Sequence, residues 1–237
     1  MRIISRLDIK QDHLIKGIHL EGWRKYGNPV EEARNQYEDG IDEVIVVDVV
    51  ASLYGRNNSF SLLKKIAENV FVPITLSGGI RNIDDVSKAF WNGADKIAIN
   101  SAATSNIKLI SDIADKYGSQ AVVVSIEVKK RENDWQVLIE NGRTLTGINL
   151  ISWVNKIQEE GAGEIYITSI DNDGTLMGPD LTLIDYVKNE IKIPTVYGGG
   201  IRDKRDIERL KEFNFLSGAT ISSALYKLKK NVKEFRT

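Results

Sequence analysis

No cysteine occurs in the 237 residues, which rules out disulfides, thiolate metal sites and a cysteine nucleophile. Histidine is almost as scarce: His13 and His19 are the only two, and both follow directly on the first apolar stretch. A Ser-His-Asp triad or a histidine-rich metal site has little to be built from, so no metal and no other cofactor is expected. No run of apolar residues is long enough to cross a membrane and no leader pattern opens the chain, so the expected location is cytoplasmic. The net charge is −1, which offers no basic face to nucleic acid or to an acidic lipid surface. What is present is ordinary for a globular protein, 42% hydrophobic and 27% charged residues.

Strand-like and helix-like stretches alternate from end to end with short polar joints. The strands read as Arg2–Asp8, Glu43–Val50, Val72–Leu76, Lys96–Ile99, Ala121–Glu127, Glu164–Ile170, Thr195–Tyr197 and Ala219–Ser222. A helix follows each, the first capped by Asn28 with Pro29 in its opening turn, another over Leu181–Glu190. Lys129–Thr146 interrupts this pattern as an added hairpin, with Trp135–Ile139 strand-like and Asn141-Gly142 turn-like. Eight strand–helix units predict a closed parallel (βα)8 barrel, one domain over residues 1–237, ahead of an open doubly wound sheet.

Internal repetition favours the barrel. Pro73-Ile74-Thr75-Leu76-Ser77-Gly78-Gly79-Ile80-Arg81 returns 121 residues later as Pro194-Thr195-Val196-Tyr197-Gly198-Gly199-Gly200-Ile201-Arg202. Gly40–Glu43 returns as Gly161–Glu164, and Ile97–Ala102 is echoed by Ala219–Ala224. Two similar half-barrels of four units account for all three. Each glycine turn lies between a strand and a helix, where backbone N–H groups can cradle an anion. Asn100-Ser101 and Ser222-Ser223 end the next strand in each half and add donors. The pattern predicts two phosphate sites on opposite sides of one barrel mouth.

The first strand is odd for a plain core. Alternation puts Arg2, Ile4, Arg6 and Asp8 on one face. Its counterpart 119 residues on, VVVSIEVKK at Val122–Lys130, also ends in a carboxylate, Glu127. Asp8 and Glu127 form a candidate acid–base pair, and a substrate with a phosphate at each end would span them. Asp48 ends the second strand. Asp171-Asn172-Asp173-Gly174-Thr175 ends the sixth in what reads as an Asx-type turn. Lys16 opens a polar, glycine-bearing segment to Gly27, read either as a solvated loop or as a mobile lid whose lysine seeks phosphate.

The stretches LDIK (Leu7–Lys10), IKG (Ile15–Gly17), VDVVAS (Val47–Ser52), SGGI, GADKIAINSAA (Gly93–Ala103), GSQAVVVSIE (Gly118–Glu127), GAGEIYITSIDNDGT (Gly161–Thr175) and GGGI together resemble the cyclase subunit of imidazole glycerol phosphate synthase. The likeness covers nearly the whole chain. It implies a (βα)8 barrel that takes ammonia from a glutaminase partner and uses it on a doubly phosphorylated ribulosyl-aminoimidazole. The products would be imidazole glycerol phosphate and an aminoimidazole carboxamide ribotide. By the resemblance the catalytic carboxylates are Asp8 and Glu127 and the lid lysine is Lys16. The phosphate and substrate contacts are Gly79, Asn100 and Ser101 in one half, and Asp173, Gly174, Gly200, Ser222 and Ser223 in the other. Arg2, Glu43, Lys96 and Glu164 match the ring of charges around the ammonia entrance, each at the start of a strand.

Three departures stand out. Glu127 replaces the family's aspartate, and the extra methylene moves the carboxylate by about 1 Å, a scale that costs up to about a hundredfold in rate where positioning is strict. Arg6 replaces a small residue and points inward below Asp8. There it is expected to pair with Asp8 or Glu127, lowering their pKa, and to narrow the barrel. The first loop, from His19, differs as well. All three lie at the substrate end, while the ammonia entrance matches. Two further readings therefore accompany the cyclase: a paralogue that delivers ammonia for converting an acetamido sugar to an acetamidino one in surface polysaccharide, and a non-catalytic barrel that only docks and activates a glutaminase.

Overall fold

The computed structural model describes residues 1–51, 59–132 and 134–236; Ser52, the end of the VDVVAS stretch, lies outside them. The strands are β1 (Arg2–Lys10), β2 (His13–Ile18), β3 (Glu21–Gly27), β4 (Glu43–Asp48), β5 (Ile74–Ser77), β6 (Lys96–Ile99), β7 (Val122–Arg131), β8 (Asp134–Ile139), β9 (Thr144–Asn149), β10 (Glu164–Ser169), β11 (Thr195–Gly198) and β12 (Leu216–Ile221). Eight of them, β1, β4, β5, β6, β7, β10, β11 and β12, pair in parallel in that order, and β12 pairs back to β1. This is a closed (βα)8 barrel. The helices are α1 (Pro29–Glu38), α2 (Ser59–Ala67), α3 (Ile83–Trp91), α4 (Ser101–Ser105), α5 (Lys108–Tyr117), α6 (Leu150–Glu159), α7 (Leu181–Val187), α8 (Lys204–Lys211) and α9 (Ser223–Leu228). Among the described residues, no helix is long and apolar enough to cross a membrane.

Strand alternation sorts the apolar residues into two cores. Ile3, Leu7 and Ile9 turn outward and pack with the helices. Ile4, Ile45, Val47, Ala98, Val123, Tyr166 and Val196 turn inward and fill the barrel. Beneath that inner layer the ring of charges is closed. Arg2 pairs with Glu43 at 2.5 Å and also with Glu164, while Lys96 reaches Glu43 at 3.1 Å and Glu164 at 2.9 Å.

At the other end, the segment expected as a loop from Lys16 to Gly27 is a ladder. β1 runs on past Asp8 to Lys10 and pairs antiparallel with β2, which pairs with β3. The glycines and charges of this stretch hid its alternation. Leu14 and Ile15 are buried, and the β2–β3 turn places His19 and Leu20 at φ 54° and 63°. Leu20 then packs on Leu138 and Ile170 across the mouth. The second half repeats the device, because β7 runs on to Arg131 and pairs with β8. The expected hairpin is longer than its sequence signs, with β9 continuing to Asn149. Helix α7 stops at Val187, short of the expected Glu190, since Glu190 N and Ile191 N turn back to the Val187 carbonyl.

The two glycine turns take the conformation only glycine adopts freely, with φ of +92° and +78° at Gly78 and Gly79 and +117° and +80° at Gly199 and Gly200. Each is pinned by a buried aspartate on the following helix. Asp85 accepts from Arg81 N at 3.1 Å, and Asp206 from Arg202 N at 2.9 Å. A Cβ at Gly200 would lie 2.0 Å from the Gly178 carbonyl oxygen, whereas one at Gly40, φ +92°, meets nothing within 4 Å. Gly40→Ala should therefore cost only left-handed strain, about 1 kcal/mol. Gly200→Ala adds a backbone collision and should cost about 3 kcal/mol. Urea denaturation of both variants checks this; equal losses would show that the turn relaxes.

Candidate active site

Asp8 stands at the mouth because β1 continues there as the shared edge of the barrel and the β1–β2 ladder, opposite Ile15. Its carboxylate is held from two sides. Arg6 Nε donates to Oδ1 at 2.7 Å and Lys16 Nζ to Oδ2 at 2.9 Å. Lys16 also donates to both oxygens of Asp173, at 3.0 and 2.9 Å. All four side chains are buried, Lys16 to 1% exposure. Burial alone would push the Asp8 carboxyl up, but Arg6 and Lys16 outweigh it and hold the group below the usual carboxylate range. Lys16, expected as a lid lysine reaching for phosphate, is here paired with two carboxylates.

Glu127 is placed across the mouth by β7, and the β8–β9 turn folds over it, with Gly142 N donating to Oε2 at 2.8 Å. Burial pushes its carboxyl up to about 7; Asp8 adds to the rise, and Arg6, Gly142 N and the Asn100 side chain oppose it without overcoming it. Of the two acids Arg6 was expected to pair with, it meets Asp8, and its pull on Glu127 is outweighed by burial. The guanidinium is hydrogen-bonded to Asp8 and, through Nη1, to Tyr166 OH at 3.1 Å, so it makes no direct bond to Glu127. The pair is split: Asp8 is held as the anion, and Glu127 carries a proton into the neutral range. One group can accept a proton and the other deliver one.

Two pockets flank this pair, one at each glycine turn. The first, about 350 Å³, is lined by Gly78, Gly79, Asn100, Ser101 and Glu127 together with Asp48. The Asp48 carboxylate itself accepts from Val50 N and Ala51 N, which makes it a turn cap. The second pocket gathers Gly174, Gly199, Gly200, Ser222 and Ser223 with the cations Arg6 and Lys16, yet it holds only about 10 Å³. The hydroxyls of Ser222 and Ser223 are buried there and have no hydrogen-bond partner among the described residues. Orphaned donors beside two cations and a positive-φ glycine turn suit an anion.

The candidate residues thus fall into two groups. Asp8, Lys16, Asp173, Gly174, Gly200, Ser222 and Ser223 meet around the second pocket, and Gly79, Asn100, Ser101 and Glu127 around the first. Arg2, Glu43, Lys96 and Glu164 meet at the opposite end. Sequence reasoning missed the β8–β9 turn as part of the site. Besides holding Glu127 it reaches Ser101, whose hydroxyl accepts from Glu140 N at 3.2 Å. Asn141-Gly142 signalled the turn, but nothing local signalled what it covers. The Tyr166 hydroxyl that receives Arg6 was missed as well, since it sits mid-strand.

Over residues 2–231 the sequence matches the family described as histidine biosynthesis protein. It is 51% identical over 215 residues to imidazole glycerol phosphate synthase subunit HisF of Legionella pneumophila, a match covering 90% of this chain and 99% of that protein. It is 39% identical over 235 residues to the subunit of the same name from Natranaerobius thermophilus, covering 99% and 94%. With the one from Streptococcus mutans it shares 39% over 226 residues, covering 95% and 90%. Each of these relatives is named as a subunit of a synthase.

The raised Glu127 group has a consequence for stability. Its folded pKa of about 7 lies above the ordinary 4.5, so folding favours its protonated form. The associated stability is full below pH 4.5 and is lost as pH rises through 7. That loss is on the order of 3 kcal/mol. Glu127→Gln should remove it, so the variant should gain stability over the wild type at pH 8 but not at pH 4.5. Chemical denaturation at the two pH values reads the difference; an equal gap at both would mean that folding does not shift the Glu127 carboxyl.

Proposed function

The chain belongs to the histidine biosynthesis protein family, and from that premise we propose that it is the ammonia-using cyclase subunit of an imidazole glycerol phosphate synthase. It is a cytoplasmic enzyme whose single domain, 1–237, works with a glutaminase subunit. The observation that carries the reading is the split carboxyl pair between two glycine-turn pockets. A ribulosyl-aminoimidazole with a phosphate at each end is anchored by both turns, which lays its reacting carbons across Asp8 and Glu127. Glu127 delivers a proton to the oxygen that leaves, and the Asp8 carboxylate takes one from the attacking nitrogen or the carbon beside it. Ring closure gives imidazole glycerol phosphate, and cleavage releases aminoimidazole carboxamide ribotide.

The far end of the barrel supports the partner. A balanced ring of Arg2, Glu43, Lys96 and Glu164 guards the axis, and above it lies the apolar layer of Ile4, Ile45, Ala98, Val123 and Val196. Such a layer passes neutral ammonia and opposes ammonium. Phe71 and Trp91 stand 75% and 91% exposed where the chain enters β5 and β6, at the same end as the ring. Exposed aromatics of this size suit a subunit interface.

One observation favours a second reading, in which the same ammonia serves a sugar being converted from acetamido to acetamidino. Arg6 pairs with Asp8 and narrows the second pocket to about 10 Å³. The deciding assay supplies purified protein with ammonium salts and the ribulosyl-aminoimidazole bisphosphate. Imidazole glycerol phosphate should form, and Asp8→Asn or Glu127→Gln should each cut kcat by about a hundredfold or more. Folded wild type with no turnover would transfer the role to the sugar acceptor.

A further inference from the structure

The second pocket has the chemistry of an anion site and lacks the room for one. About 10 Å³ takes at most a single water, and a phosphate group is several times larger. Of its polar lining, the glycine turn is backbone, the Thr220, Ser222 and Ser223 hydroxyls are short and Asp173 is an anion, so the groups able both to give way and to meet an anion are the long cations Arg6 and Lys16. Lys16 is the more firmly held. Its ammonium makes three charge-assisted bonds, one to Asp8 and two to Asp173. Arg6 has one ionic contact, through Nε to Asp8. Its Nη1 bonds are to neutral hydroxyls, Tyr166 at 3.1 Å and Thr168 at 3.5 Å, the latter at the limit of a hydrogen bond.

We propose that Arg6 is an anion-binding residue, parked on Asp8 while the second pocket is closed. When a phosphate group enters the second pocket, the guanidinium turns from the carboxylate to the phosphate, opening the pocket and releasing Asp8 together. The planar fork of arginine suits the exchange, since it meets phosphate in two parallel bonds where it meets Asp8 in one. The charges suit it too. Arg6, Lys16, Asp8 and Asp173 sum to zero with both cations already paired to carboxylates, so a phosphate bearing about −1.5 to −2 gains a direct ion pair when one of them turns to it. After the exchange Asp8 keeps Lys16 alone and becomes the stronger base. The general base is thus switched on by the end of the substrate remote from the reacting atoms. By reciprocity, whatever protonates Asp8 tightens phosphate binding.

The inference rests on the second pocket being an anion site, and inorganic phosphate tests both layers separately. Crystals of the wild type, Arg6→Met and Arg6→Lys are equilibrated at graded phosphate concentrations and occupancy is read at each pocket. In the wild type, phosphate should sit on the Ser222 and Ser223 hydroxyls with the Arg6 guanidinium turned onto it. Arg6→Met should weaken that site at least tenfold, Arg6→Lys should restore part of the loss, and the pocket at Gly78–Gly79 should be unaffected. If Arg6→Met binds phosphate there as well as the wild type or better, Arg6 is an occupant that keeps anions out and the proposal falls. If neither variant nor wild type takes phosphate there, the anion-site reading falls with it. A second readout is the Asp8 carboxyl resonance, followed by NMR with Arg6, Lys16, Asp173 and Glu127 as the charged groups around it. Added phosphate should raise its titration midpoint in the wild type and leave it unmoved in Arg6→Met; a wild-type midpoint that stays put overturns the exchange.

Discussion

A charge inside a closed barrel has no water to turn to, so each must be matched or neutralised in place. This chain meets that constraint twice with the same arithmetic. At the N-terminal end Arg2 and Lys96 face Glu43 and Glu164; at the mouth Arg6 and Lys16 face Asp8 and Asp173. Both quartets are neutral. Glu127 is the acid left over, and with no cation assigned to it the remaining way to be buried cheaply is to carry a proton. Its raised pKa follows first from that burial, and Asp8 adds to it.

The two halves share a frame and differ in what fills it. Both carry a strand that overruns the barrel into a hairpin, a positive-φ glycine turn, and an aspartate one turn into the next helix that pins the turn. The hairpins differ in what they reach. That of the second half lies over Glu127 and Ser101 and leaves the first pocket roomy. That of the first half brings Lys16 into the second pocket and bonds across it, His19 N to the Asp173 carbonyl at 2.8 Å. The hairpins also tie to each other, Asn141 Nδ2 donating to the Leu20 carbonyl at 2.9 Å.

The barrel itself was legible because its signals are local and repeated. Eight short β-branched runs, the 121-residue recurrence of the glycine turns and the alternation along Arg2–Asp8 suffice to place Asp8, Glu127 and both glycine turns at one mouth. The Lys16–Gly27 ladder was not legible. Its stability comes from pairing to the overrun of β1 and from Leu20 meeting Leu138 and Ile170, contacts more than a hundred residues apart in sequence. Lys16 therefore read as a free lysine, when its position is set by Asp173, 157 residues away. For the same reason the direction of the Glu127 shift escaped notice. Arg6 could be seen to point inward, but which acid it would meet depends on the barrel's cross-section.

Arg6 and Glu127, the two departures read from the sequence, bear on different members of the carboxyl pair. With a small residue at position 6, Lys16 would stand alone between Asp8 and Asp173, and the mouth would hold an excess of negative charge shared among three acids. The guanidinium completes a neutral quartet around Asp8 and holds it as the anion, while burial, against the pull of Arg6, keeps the proton on Glu127. The longer glutamate side chain then brings that protonated group to the hairpin turn, where Gly142 N meets it at 2.8 Å. The change on β1 fixes which carboxyl is the anion, and the change on β7 places the acid where the other hairpin can hold it.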